Sequence, residues 1–394
     1  MFLSWREEDV LTGFMFLGLI CHGIFFAREW LIFGAMLIIY LLIRWAQRVG
    51  RSKNSKRKFG VSSKNLVGPI SIFCLLIIFS LIGLLHPVRK IEGWLEAFKW
   101  LIFLLAYLWG RQLAVREEMK DIVLNRMIIT ALISTLLAWL PGSEMIWAPG
   151  IPEDGRFAST WGYANAAASF LGCQLLLLHK DRKIKIPYLT VFMISMISTG
   201  SRAAIALVIV FWVLLILKRI HLKLIIDFKP PKLKELGFWF SVLAIMIIMI
   251  QQTGMRYQDS VQHLLNWTQT TFSERLLYYA DCLKLAQTAH FLPQAGGWLA
   301  FPFIQTIPYF TLYPHSSIFQ VLLNQGLAGV ILLSFWACKG IKQYIFDLRN
   351  SSDLTNICSK TAVLYLGIHS LLDVDFSFGI LGVVFWLLAG INSR

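Results

Sequence analysis

Charge is scarce in this chain: only 15% of its 394 residues are Asp, Glu, Lys or Arg, while 57% are hydrophobic and the mean hydropathy is +0.64. Those values exclude an ordinary soluble domain and indicate a membrane protein. The six cysteines are scattered as Cys21, Cys74, Cys173, Cys282, Cys338 and Cys358 without a CxxC pair, so neither a zinc site nor a disulfide framework is encoded. There is no GxxxxGK[ST] loop for nucleotide hydrolysis and no HExxH for a zinc protease. No small-residue cleavage site follows the first apolar run near Val10, so that run reads as a retained span rather than a signal peptide.

Acids are outnumbered, 22 against 37 Lys and Arg, for a net charge of +15. The positive residues sit in short clusters between apolar runs, which is the pattern of cytoplasmic loops against anionic lipid and not of a nucleic-acid surface.

What the chain has in abundance is apolar runs, and a helix needs roughly 20 apolar residues to cross a bilayer, fewer where neighbours shield its ends. By that measure it is an all-α polytopic membrane protein, a single integral membrane domain over 1–394. About twelve transmembrane helices are predicted, at 10–26, 30–43, 66–85, 94–109, 127–140, 161–178, 186–198, 203–217, 237–250, 316–337, 361–372 and 376–391. Residues 251–314 are the longest polar interruption and are expected to form an extracytoplasmic loop with a surface helix, the lid and catalytic edge of a site.

Basic residues are retained on the cytoplasmic side, which fixes an expected orientation. The stretch 44–64 carries eight Lys and Arg and no acid, and alternating from there puts 28 of the 37 on that side and nine on the other, with both termini cytoplasmic. The chain is thus expected to be multi-pass, with the 251–314 loop outward.

The outward face then collects a small set of groups: Arg156, Arg202, Arg256, Arg275, His315, His369, Asp373 and Asp375. Arg156, Arg202 and His315 stand at or near helix starts that point outward, where unpaired N–H groups and the helix dipole favour an anion. Ser273 reads as the N-cap of a surface helix running to about Ala289, with Arg275 in its first turn, a conflict that a bound anion would remove. Leu276, Leu277, Ala280, Leu283 and Leu285 would lay that helix on the bilayer surface. An anion at that depth is a lipid phosphate or diphosphate, and arginine grips phosphate oxygens in pairs while staying charged.

His315 is suited to accept a proton from a hydroxyl. His369 could do the same but lies inside a span, where a packed, hydrogen-bonded histidine is the commoner case. Asp373-Val374-Asp375 matches the DxD that holds metals for sugar transfer, yet reads better as an ion pair with an outer Arg or as an orienter of His315; no metal and no cofactor are expected. The assigned spans hold almost no ionisable residue away from their ends apart from His22 and His369, whereas transporters need such groups near the midplane. Nor is there a convincing outer carboxylate pair for glycoside hydrolysis.

With these residues in place, the chain from about Gly155 onward resembles the O-antigen ligase and Wzy-type polymerase family, bacterial envelope glycosyltransferases of the GT-C type. Gly155-Arg156-Phe157 with Ala164-Asn165, Ser201-Arg202-Ala203, Ser273-Glu274-Arg275 with Gly296-Gly297, His315 with Asn324-Gln325-Gly326-Leu327, and His369 with Asp373 carry the resemblance. It implies transfer of a glycan from an undecaprenyl-diphosphate-linked donor to a glycan or cell-envelope acceptor hydroxyl, inverting and metal-independent. His315 would be the base, Arg202 and Arg275 the diphosphate ligands, Arg156 a further cation, and His369 and Asp373 supporting groups. Family members often have Asn after the histidine, where this chain has Ser316. Polymerase and ligase share a donor and stay undivided, and a flippase or exporter for the same lipid-linked glycan is the alternative.

Overall fold

The computed structural model describes residues 6–52, 67–115, 117–140, 156–181, 183–222, 227–229, 240, 244, 270–306, 311 and 313–393. Twelve α-helices lie among them: α1 (Glu7–Ile20), α2 (Ala27–Ser52), α3 (Val67–Ile82), α4 (Lys90–Leu113), α5 (Glu117–Ala138), α6 (Ala164–Leu177), α7 (Ile186–Ser198), α8 (Arg202–His221), α9 (Thr270–Thr288), α10 (Ser317–Asn350), α11 (Leu354–Leu372) and α12 (Gly379–Ile391). The strand pairing among the described residues is one parallel pair, Lys183–Lys185 with Asp227–Lys229.

The protein is a helical membrane protein. Among the described residues, five segments are long and apolar enough to cross a bilayer: Ala27–Gln47, Gly68–Leu85, Glu118–Ala138, Arg202–His221 and Ser317–Asn350. The apolar runs expected from sequence coincide with α1 to α8 and α10 to α12. The remaining run, 237–250, lies outside the described residues except for Phe240 and Ala244, as do residues 251–269 with Arg256, residues 152–155, and the basic stretch beyond Ser52.

One continuous core runs from Leu11 to Ile391, with α6 and α12 at its centre. Every residue of α12 is buried, as are nearly all of α6. Both helices are short, and both are rich in small residues, which let neighbouring backbones come close where lipid gives no hydrophobic drive for association. At the α4–α12 crossing a Cβ on Gly110 would overlap the Leu387 carbonyl, and one on Gly390 would overlap that of Tyr107. Glycine at both positions is therefore a packing requirement.

The helices alternate in direction, which gives the bundle two distinct ends. At one, Lys180 faces Asp121 at 3.8 Å, Arg126 faces Asp9 at 3.2 Å, Arg44 pairs with Glu7, and Lys360 with Asp347. At the other, helix ends are knitted by backbone bonds: Gly379 to Ile24, Phe157 to Ser198, Ala295 to Gly83 and Ser317 to Asp373, at 2.9 to 3.1 Å. His315, Asp373, Arg156, Arg202 and α9 all belong to this second end.

α10 is broken at Gly326, whose φ of 70° and ψ of −172° lie in a region open only to glycine. A break in the helix ladder strands backbone groups, and within a membrane each must find a protein partner. The loop after α9 provides them, since the Gln294 N–H donates to the Asn324 carbonyl at 3.1 Å and the Leu327 N–H donates to the Phe291 carbonyl at 3.0 Å. A Cβ on Gly326 would stand 2.5 Å from the Phe291 oxygen. Gly326→Ala is thus expected to cost roughly 2–4 kcal/mol, from strain and overlap together, read as a lower melting temperature of the purified protein; an unchanged melting temperature would remove this account of the break.

Candidate active site

Asp373 organises the site. It follows α11 directly, with 2% of its side chain exposed, and buried carboxylates need hydrogen bonds. Its Oδ1 accepts from the Tyr163 hydroxyl at 2.8 Å and from the Val374 N–H at 2.8 Å. Its Oδ2 accepts from Asn165 Nδ2 at 2.7 Å and from an Arg275 guanidinium nitrogen at 3.4 Å. Burial pushes the carboxyl upward, but the hydrogen bond and charge of His315, with Arg275 and His369, outweigh it and hold Asp373 well below the usual carboxylate range.

His315 stands beside it, two residues before α10, with its φ at 46°. A left-handed histidine is uncommon and costs backbone strain, which the surrounding contacts sustain. Its Nδ1 is 3.5 Å from Asp373 Oδ1 and 3.4 Å from the Tyr163 oxygen. Its Nε2 faces the other way, 3.0 Å from Thr311 Oγ1. The carboxylate favours the tautomer with the proton on Nδ1, leaving Nε2 with a lone pair. About a quarter of the ring is exposed, enough for a hydroxyl to reach it.

α9 covers this pair with one face, since Arg275, Tyr278 and Tyr279 are three and four residues apart. Arg275 donates to the Leu372 carbonyl at 2.6 Å as well as to Asp373, Tyr278 lies 5.6 Å from the His315 ring centre, and the Tyr279 hydroxyl donates to the His315 carbonyl at 3.4 Å. Two sequence expectations are corrected here. The chain is already helical at Thr270, so Ser273 is not the N-cap and Arg275 is not in the first turn. Arg275 resolves its charge at the C-terminal end of α11 instead, where unpaired carbonyls favour a cation. The expected bilayer face also divides, because Leu276 and Leu283 are exposed while Leu285 packs with Tyr278, Cys282 and Ala286 over α10.

Arg156 joins through one intermediary. Its guanidinium donates to Asn165 Oδ1 at 2.9 Å and to the Thr199 carbonyl at 2.7 Å. Arg202 begins α8 three residues after Thr199, on the same corner, but makes no direct hydrogen bond or ion pair to Asp373, Asn165 or His315 among the described contacts. His369 is buried in α11 with 1% of its side chain exposed, and pairs with Asp375 Oδ2 at 2.7 Å, which also accepts from Ser169 at 3.0 Å. It supports the loop that carries Asp373 and offers no open nitrogen to a substrate from that position.

Tyr163 and Asn165 are the contacts that sequence reasoning underweighted. The available signal was a polar pair at the start of an otherwise small and apolar helix. A second omission lies in α4, where Glu96 and Lys99 meet at 3.6 Å near the buried Gln325 side chain, whose amide oxygen accepts from Ser80 Oγ at 3.0 Å. Glu96 and Lys99 fall within the predicted 94–109 span, so that span is less free of ionisable groups than expected. Compared with known proteins, the chain matches no family model and no curated sequence.

Proposed function

We propose that this chain transfers a glycan from a polyprenyl-diphosphate donor to a hydroxyl acceptor, in the manner of the O-antigen ligases and Wzy-type polymerases that its motifs resemble. The observation that carries this is the gathering of His315, Arg275 and, through Asn165, Arg156, from three distant stretches, around the Asp373 carboxylate.

The chemistry follows from the residues. His315 Nε2 takes the proton of the acceptor hydroxyl, and Asp373 holds the ring and stabilises the imidazolium that forms. The acceptor oxygen attacks the anomeric carbon as the bond to the diphosphate breaks, which inverts that centre. Charge builds on the leaving diphosphate, where arginine donors act most strongly in a site shielded from water. Arg275 uses its NH1 and NH2 groups on Leu372 and Asp373, and a guanidinium has five N–H donors in all. Arg156 and Arg202 supply further positive charge on the α7–α8 corner. This reading places the site on the outer face of a bacterial inner membrane, with both termini in the cytoplasm.

Arg275→Ala is expected to lower transfer about 100-fold, comparable to losing one donor to a developing anion. Arg275→Lys should recover only part, since a single ammonium cannot reproduce the fork. The measurement is product formed by purified protein in liposomes supplied with lipid-diphosphate glycan; wild-type rates in both variants would defeat the proposal. The Glu96–Lys99 pair within α4 favours a second reading, a flippase or exporter for the same lipid-linked glycan. It requires labelled glycolipid to change leaflets with no new glycosidic bond.

A further inference from the structure

A line of aromatic rings leads away from the site. Tyr163, whose hydroxyl binds Asp373, lies parallel to Phe378 with centroids 5.5 Å apart. Phe378 meets Phe25 at 4.9 Å, Phe25 meets Tyr313 at 5.9 Å, and Tyr313 is stacked on Trp298 at 4.9 Å and 14°. The inner member, Phe378, is buried in the core, whereas Trp298 and Tyr313 are only half-buried. Burial and the nearby Glu92 carboxylate push the Tyr313 phenol up, so that it stays neutral.

Trp and Tyr also gather at membrane interfaces, where they face lipid. The position of Tyr313 is different. It stands between Thr311 and His315, its N–H donates to Thr311 Oγ1 at 3.3 Å, and that same Oγ1 lies 3.0 Å from His315 Nε2. The Tyr313 backbone therefore lies on the Nε2 side of the base, two residues from His315, while Arg275 is on the Asp373 side. The lipid-directed type of aromatic is represented nearby by Phe303, which is 88% exposed and belongs to no ring contact among the described residues.

We propose that the Trp298–Tyr313 stack is a subsite for the acceptor saccharide, with a pyranose ring laid on the aromatic face beside His315 Nε2. This rests on the glycan-transfer reading above. The axial C–H groups of a pyranose form an apolar face of slightly positive edge character, and an aromatic ring offers a negative face of matching width. Glu92 and Gln305 stand within the same neighbourhood, Gln305 through its bond to the Thr311 carbonyl at 2.8 Å, and supply acceptors and donors for sugar hydroxyls.

The test uses the full-length protein in nanodiscs and envelope glycans released by mild acid from cells that carry the chain. Saturation-transfer NMR on the wild type should mark sugar ring protons, and Trp298→Ala should weaken that signal about tenfold, the scale of one aromatic contact. Trp298→Phe should keep most of it, and Tyr313→Leu is the second variant should Trp298→Ala fail to fold. In the transfer assay the acceptor KM should rise about tenfold in Trp298→Ala with the donor KM unmoved. Absence of a ring-proton signal in the wild type, or an equal signal in folded Trp298→Ala and Tyr313→Leu, overturns the subsite and leaves the stack as an interface anchor. If the signal depends on Trp298 but the wild type makes no glycosidic bond, the subsite stands and glycan transfer falls. If transfer proceeds with an acceptor KM indifferent to Trp298, the reverse holds.

Discussion

His315→Ala is expected to lower glycan transfer about 1,000-fold, within the range of a lost general base, while the donor still binds. Without a group at Nε2 the acceptor hydroxyl must attack carrying its proton. The left-handed backbone at position 315 strains histidine and alanine alike, by about 1–2 kcal/mol. Asparagine tolerates that conformation far better, so His315→Asn separates the two effects. Both variants should lose transfer, and the asparagine should be the more thermally stable of the two. Donor binding, followed with a fluorescent polyprenyl diphosphate, should stay within twofold or so, because the phosphate contacts remain. A His315→Asn protein that transfers glycan at the wild-type rate would take this residue out of the chemistry.

Asp373→Ala should be the most damaging substitution to the structure. It removes the shared acceptor of Tyr163, Asn165 and Arg275 at once and leaves a half-buried guanidinium without its carboxylate. Breaking such a pair from one side costs roughly 3–5 kcal/mol, which should show as a large fall in melting temperature and in yield. Asp373→Asn keeps the shape but presents an amide where a carboxylate oriented the imidazole. Its fold should survive better than its rate, as expected when a histidine is left in the wrong tautomer. The carboxylate also carries a pH signature. Its pKa is depressed on folding, so its stabilising contribution is complete above about pH 4, the unfolded carboxylate value, and fades as pH falls below that through the depressed folded value. Melting temperatures of wild type and Asp373→Asn should converge in acid; a constant difference down to the lowest workable pH would contradict the pairing.

The fold was legible wherever an apolar run was bounded by charge. α7 begins and ends where the run 186–198 does, because Lys185 precedes it and a Thr-Gly-Ser corner follows. The basic clusters also anticipated which helix ends lie together, since Lys180, Arg219 and Lys360 gather at one end and His315, Arg156 and Arg275 at the other. In the site, arginines and a histidine on a face poor in both were conspicuous. Tyr163 and Tyr278 were not, because an aromatic residue next to a helix reads as packing until its neighbour in space is known. The phase of α9 was misjudged for a related reason. Its leucines are distributed around the helix, and what decides the inward face is the Arg275, Tyr278, Tyr279 set together with Cys282 and Leu285, a mixture that a hydropathy period does not register.

The broken tenth helix ties down the segment that covers His315. Gln294 and Phe291 complete the backbone of α10 at its interruption, and both residues follow within a few positions of the covering segment that holds Arg275. Hinging that cover upward would strip two main-chain groups of their partners in surroundings with no water to replace them, a penalty of several kcal/mol for each. The cover and the broken helix are in this sense one piece. A donor of the proposed kind is therefore expected to reach His315 with this cover in place rather than by lifting it.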